Sequence, residues 1–516
     1  MNRARSLWLA AICAAALLAY ARSFESPFQF DDFINIIEAP TVRSPSLATF
    51  IRSARARILP TATYMLNYRI GGNNPVGYHV VNFAVHLLAT ATLYGLVLAL
   101  CRTPRLRGTG LASQALPMAV AAALLFSCHP IQIQAVTYVV QRAASMATLF
   151  YLASVLLYVR ARNAQVGAEP GRPGPRYLGS ALCGMAAFLS KENAASLPLT
   201  ILLAEWTFYP GVAAGRRLLR LAPFAAMVLV IPLVWWLFGT RYRGGDTFGD
   251  QLSYFVGFLF RRARPVDQVS SLDYFFTQCT VIPRYLGLVF LPWGFNVDHD
   301  VAASGAGSLA GVSGFAVLAA LLGCGLYALG RWPLLGFGIV WFFLGLSVES
   351  SVFPIQDLMV EHRMYLAMPG VAMALAVPFA WALQRWRTAT LIAGTAVAAG
   401  LCALTFLRNE VWRTPVALWQ DALAKSPGKS RVHANLGAAL QLGGRTDEAV
   451  AHYCKALEID PDNKRAVSNL DAAVEEQIEK DSAGGKVVML DLMEVGPDGS
   501  VQLAPKDPCE KFRSQK

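Results

Sequence analysis

The chain has 516 residues, 55% of them hydrophobic and only 15% charged, with a mean hydropathy of +0.42. Water-soluble domains carry about 25% charge, so this composition excludes an ordinary soluble protein and leaves room for roughly ten membrane spans of about 20 residues. The formal net charge of +12 does not mark a nucleic-acid binder, because Lys and Arg gather between apolar runs, as in the cytoplasmic loops of membrane proteins.

The first span, Leu7 to Tyr20, follows Arg3 and Arg5 and starts inside. Its end, Ala19 to Ala21, has the small-residue spacing of a signal-peptide cleavage site. An uncleaved span is expected, because the acids that follow need tethering. Phe30-Asp31-Asp32-Phe33 then stands outside. Acids near a bilayer are costly. Two side by side raise one pKa, which suits a general base; the plainer reading is a loop turn.

Residues 40–78 form an outer loop with Arg52, Arg55, Arg57 and Arg69, cations against the charge rule and suited to an anion such as phosphate or to lipid headgroups. Spans are expected at about 79–100, 116–126 and up to Tyr158, with His129 to Arg142 lying along the outer interface. Shorter spans end near Ser190 and Tyr209, and another covers Ala222 to Phe238. Tyr254 to Arg262 reads as an interfacial amphipathic helix. Further spans follow at 308–330, 333–348, 364–384 and 389–407. Charge bookkeeping asks for an odd number, about eleven, and residues 278–294 are taken as the stretch that does not cross.

After Asn409 the character changes. Leu436, Gly437, Ala449, Tyr453, Ala456 and Pro461 fit one tetratricopeptide repeat of about 34 residues. Trp419, Ala422 and Pro427 precede them by one period, and Leu470 follows. Val487 to Leu503 alternates around Gly496 to Gly499, as a hairpin does. Nine cysteines with no Cys-x-x-Cys signal neither a metal site nor a disulfide framework.

Phe30-Asp31-Asp32, Asn67-Tyr68, Gly77 to Asn82, His129-Pro130, Val139 to Arg142, Leu189 to Glu192 and Glu361 to Tyr365, in this order before a tetratricopeptide stretch, resemble the bacterial relatives of the transmembrane-and-tetratricopeptide O-mannosyltransferases. These are GT-C glycosyltransferases, and the resemblance covers roughly residues 5–465. It implies an all-α polytopic membrane protein: a GT-C-type bundle of about eleven transmembrane helices over residues 1–408, a tetratricopeptide domain over 409–480 and a tail over 481–516.

The resemblance also implies a polyprenyl-phosphate sugar donor, a non-cytoplasmic active site and an acidic pair in the first outer loop. Transfer needs a base on the acceptor hydroxyl and cations on the leaving phosphate. Asp31 is the base and Asp32 orients its partners; Arg142, Arg363, His362 and Lys191 are the phosphate-binding candidates, with Glu361, His79 and Asn82 in support. Against these stand plainer roles: a Glu361–Arg363 ion pair, a snorkelling Arg142 and a packing pair of His79 with Asn82. No tightly bound cofactor or metal is expected, although some GT-C enzymes use a divalent cation. Partners are the lipid donor, membrane lipids and an acceptor protein or glycan, reached through the repeat, at a bacterial inner membrane with loops and tail periplasmic. Sugar and acceptor stay open. The rivals are a membrane-anchored tetratricopeptide scaffold and a transporter, which would carry charges within its spans.

Overall fold

The computed structural model describes residues 3–43, 57–230, 269–351 and 354–483, with isolated positions at 50, 233, 249, 494–495, 501–502 and 509. Arg52, Arg55 and the Tyr254 to Arg262 stretch lie outside the described residues, as does most of residues 222–238 beyond Val230. The chain divides into two units, residues 1–295 with 302–410, and residues 296–301 with 411–516.

The first unit is helical. Its helices are α1 (Arg3–Tyr20), α2 (Ile58–Gly71), α3 (Pro75–Leu100), α4 (Ala115–Cys128), α5 (Arg142–Gln165), α6 (Pro173–Phe188), α7 (Leu197–Phe208), α8 (Ala214–Ala226), α9 (Ser271–Phe290), α10 (Leu309–Arg331), α11 (Pro333–Leu346), α12 (Met364–Arg385) and α13 (Arg387–Glu410). Asn74 caps α3 by accepting from the Val76 N–H, with Pro75 at the first helical position, where its missing donor costs nothing.

Six helical segments among the described residues are long and apolar enough to cross a membrane, those built on α1, α3, α5, α10, α12 and α13. The chain is therefore an all-α, multi-pass membrane protein. The expected count of about eleven is not reached by length and apolarity, for physical reasons. Helices α6, α7 and α11 have only 16, 12 and 14 residues, and α9 carries Asp273, Pro283 and Arg284. Helix α4 and the segment after it would count as a seventh span only as a pair bent by 54°. The bend falls at His129-Pro130, where proline forces the preceding residue out of the helical region.

The core of this unit joins α3 to α4 and α5, α4 to α12, α5 to α6, α11 to α10 and α12, and α1 to α13. Apolar lipid gives helices little reason to associate, so close backbone approach has to supply it. Helices α11 and α12 meet through glycine: a Cβ on Gly338 would lie 2.5 Å from the Gly370 carbonyl oxygen.

In the second unit α14 (Pro415–Lys425), α15 (Ser430–Leu442), α16 (Thr446–Ile459) and α17 (Lys464–Ala483) pack in succession. Ala434, Ala456 and Ala466 form a tight cluster between them. The segment Asn296–Val301 belongs to this unit: Asp298 accepts from Arg431 at 2.6 and 2.7 Å and pairs with Lys429, and those two cations hold its carboxyl below the usual range against the effect of burial. Glu494–Val495 and Val501–Gln502 pair antiparallel. Cys454 and Cys509 form a disulfide across 55 residues, one bond that the cysteine pattern, which signals no disulfide framework, did not point to. That spacing matches no local motif, so the sequence carried no sign of the bond.

Candidate functional site

The site grows from the stretch that follows the bend after α4, by its geometry either a broken span or a re-entrant loop and here named the re-entrant stretch. The run Pro130–Val140 is a chain of short turns and is buried throughout by other segments of the chain. Its polar backbone groups need partners, and the outer residues of other segments supply them. The Asn82 amide donates to the carbonyls of Val136 and Val139 at 3.1 and 3.3 Å. The Tyr64 hydroxyl donates to Val140 at 2.9 Å.

Asp32 closes this network. It is fully buried, and its two carboxylate oxygens accept from the Gln29 N–H at 2.9 Å and the Val140 N–H at 2.7 Å. Burial pushes its pKa up to about 7, a rise that the backbone donors oppose. Asp32 thus pins the first loop to the re-entrant stretch. Asp31, beside it, is half-buried. Its N–H donates to the Tyr138 hydroxyl at 2.8 Å. Its pose is set by Phe30, which has φ 45° and is, among the described residues, the one non-glycine with positive φ. A bulky side chain there is strained, and such strain persists only where neighbours impose it.

Arg142 departs from the expected phosphate-binding role. It is fully buried, and its guanidinium donates to Asn82 at 2.5 Å, Asn67 at 2.8 Å, Thr63 at 2.9 Å and the Tyr78 carbonyl at 2.9 Å. The ring of Tyr64 lies 4.7 Å from it. An arginine has five N–H donors, and these four bonds leave no fork for a phosphate. Arg142 cross-links α2, α3 and α5 instead. The snorkelling alternative fails for the same reason. His79 is also buried, with Nε2 2.8 Å from the Ser26 carbonyl.

A second cluster forms around a residue the sequence reading overlooked. Lys191 pairs with Glu349 at 2.7 Å, both largely buried. Burial alone would raise the Glu349 carboxyl; Lys191, then Arg363, hold it below its usual value. Burial likewise lowers Lys191, with Glu349 opposing. The Asn193 amide reaches Glu349 at 3.3 Å. Glu349 follows the apolar run of α11 directly, and an acid at that point was the signal available.

Arg363 is buried and donates to the carbonyls of Asp357 at 2.6 Å and Leu358 at 3.2 Å. It braces the chain before α12, which leaves it less open to a ligand than expected. His362 Nδ1 lies 3.2 Å from Gln134 Oε1, on the re-entrant stretch. Glu361 is buried beside them.

Arg57 stands in the open. Its side chain is 48% exposed and 3.9 Å from Glu192, and its charge reaches Tyr64 in the first cluster and Lys191 and Glu349 in the second. The backbone ties it in place: Leu59 N–H donates to Leu189 at 3.1 Å. Among the described residues no three His, Cys, Asp or Glu converge as metal ligands.

No protein-family model matches the chain. It is 23% identical over 485 residues to protein O-mannosyl-transferase F38B6.6 of Caenorhabditis elegans, covering 87% of this chain and 62% of that protein. It is 26% identical over 522 residues to protein O-mannosyl-transferase TMTC1 of Homo sapiens, covering 91% and 58%. Protein O-mannosyl-transferase TMTC4 of Mus musculus is 24% identical over 506 residues, covering 85% and 64%. The chain spans about six-tenths of the length of these curated relatives. The similarity extends into both units: at 23–26% identity the chain is similar to proteins named protein O-mannosyl-transferases.

Proposed function

We propose that this chain is an integral-membrane glycosyltransferase that moves a sugar, mannose by likeness to its relatives, from a polyprenyl-phosphate donor to a hydroxyl of an acceptor protein or glycan. Asp31 takes the hydroxyl proton, the acceptor oxygen bonds to the sugar's anomeric carbon, and the bond from that carbon to phosphate breaks, releasing polyprenyl phosphate. The observation that carries this reading is the division of labour in the acidic pair. Asp32 is fully buried and holds two backbone N–H groups, whereas Asp31, in the same loop beside Tyr138 and after the strained Phe30, is only half-buried and so lies within reach of an acceptor hydroxyl.

Arg57 and Lys191 are the cations proposed to meet the donor phosphate; Arg142 and Arg363 are framework. The reaction runs without a tightly bound metal. The shorter helices complete a GT-C-type bundle of about eleven crossings. The second unit is a short tetratricopeptide stack that presents the acceptor: Gly437 lets Tyr453 pack so closely that a Cβ would stand 2.6 Å from its ring.

The Asp31 end of the bundle and residues 411–516 are assigned to the non-cytoplasmic side, the periplasm of a two-membrane bacterium. Loop charge supports this, and so does the Cys454–Cys509 disulfide, since such bonds persist in oxidising compartments. The test is the purified protein in liposomes given labelled polyprenyl-phosphate mannose and, separately, a nucleotide-activated mannose, each with and without a chelator. Transfer from the lipid donor alone, unaffected by the chelator, is expected; transfer from the nucleotide donor alone would contradict the assignment.

A further inference from the structure

At the end of the bundle opposite Asp31 lies a second polar pocket that the transfer reaction does not use. Helix α3 starts by the Ser26–His79 contact and runs 26 residues, roughly 39 Å, to the loop that carries Arg105. A cavity of about 440 Å³ opens there, lined by Arg105, Thr109, Arg331, Trp332, Trp381 and Gln384 among others, with no carboxylate in its wall. The Arg105 guanidinium donates to the Gly330 carbonyl at 2.6 Å, which fixes one cation at the end of α10. Arg331 supplies the other. Trp332 and Trp381 meet edge-on at 5.7 Å and remain 40% and 39% exposed.

Arg105 and Arg331 are both exposed at a wall that holds no carboxylate, and their forked donors suit phosphate oxygens. Paired tryptophans at the ends of membrane helices sit at headgroup depth. A soluble anion would not call for an indole wall, whereas a lipid places phosphate and glycerol side by side with the acyl chain. A wholly different lining, apolar along α1, α4, α12 and α13, forms a groove of about 620 Å³ that includes Pro378, Phe379 and Ala382, neighbours in sequence of Trp381 and Gln384. We propose that the Arg105–Arg331 pocket binds the phosphate of an anionic phospholipid, with an acyl chain lying along the apolar helix faces. The site is separate from the proposed donor site, and its test does not depend on transfer activity.

The full chain, purified and placed in nanodiscs, is probed by native mass spectrometry for retained phosphatidylglycerol against phosphatidylcholine. A preference for phosphatidylglycerol is expected in the unmodified chain, falling about fivefold for each guanidinium removed in Arg105→Gln and Arg331→Gln. Thermal unfolding in pure phosphatidylcholine checks that each variant is folded, and Arg107→Gln, a neighbouring cation outside the pocket, should keep the preference. Equal retention of both lipids by the unmodified chain overturns the proposal, as does a folded Arg105→Gln/Arg331→Gln double variant with undiminished preference. Glycerol phosphate at equal concentration should not displace the lipid; if it does, the pocket takes free phosphate and the lipid assignment fails.

Discussion

The two polar clusters of the membrane unit solve one problem in opposite ways. Around Arg142 and Asp32 each buried charge is met by neutral groups: amides, hydroxyls and carbonyls for the guanidinium, backbone N–H groups for the carboxylate. Around Lys191 and Glu349 charge meets charge, with Arg57 exposed alongside. The first arrangement consumes directional donors and fixes geometry. The second rests on paired charges, Lys191 with Glu349 and Arg57 with Glu192, which respond to a charged neighbour. Both arginines predicted to hold phosphate stand at the first turns of helices α5 and α12, where the helix dipole disfavours a cation, and each is compensated by carbonyls or amides. A rigid frame for the proposed base and a charged cluster for the proposed phosphate site are what the transfer proposed above requires.

The comparison can be broken from either side. Lys191→Met leaves Glu349 buried without its cation and should cost about 3–5 kcal/mol, read as lost unfolding free energy in detergent. The Lys191→Met/Glu349→Leu double variant should recover most of that loss. If the double variant is no better than the single one, the pair is not the source of the cost. Arg142→Lys should cost about 2–3 kcal/mol although charge is kept, because one ammonium cannot span Asn82, Asn67, Thr63 and Tyr78. A variant with full stability but weakened donor binding would return Arg142 to the phosphate.

Asp32→Asn should cost about 1–3 kcal/mol, since the amide's own N–H faces one of the two backbone donors. It should also remove a pH dependence. A carboxyl held at about 7 when folded and near 3.8 when unfolded binds more protons folded. Its contribution therefore falls as pH rises from about 4 to 7 and levels off above that. Unfolding across that window should show the slope in the unmodified chain and lose it in Asp32→Asn. Arg57→Ala, on an exposed side chain, should change stability by less than about 1 kcal/mol yet raise the donor KM roughly tenfold. An unchanged KM would remove Arg57 from the phosphate site.

Much of this was legible in the sequence, and the limits have physical causes. The long apolar runs of α3, α10, α12 and α13 appear as helices close to their expected bounds, because apolar length is a local property. The break after α4 is announced by Pro130. The motif residues Asn82, Arg142, Asp32 and Val140 could be singled out one by one, but not their bonds. Whether an arginine at a span end turns outward or inward depends on acceptors 60 to 79 positions away in the chain. Glu349 and Lys191 are separated by 158 residues, and nothing periodic links them.

The most direct test of the central claim is transfer of labelled mannose from polyprenyl phosphate by the reconstituted protein, compared with Asp31→Asn. The account predicts a loss of about 10²–10⁴-fold in rate with unchanged donor binding and unfolding free energy. An Asp31→Asn protein that transfers at the unmodified rate would contradict it.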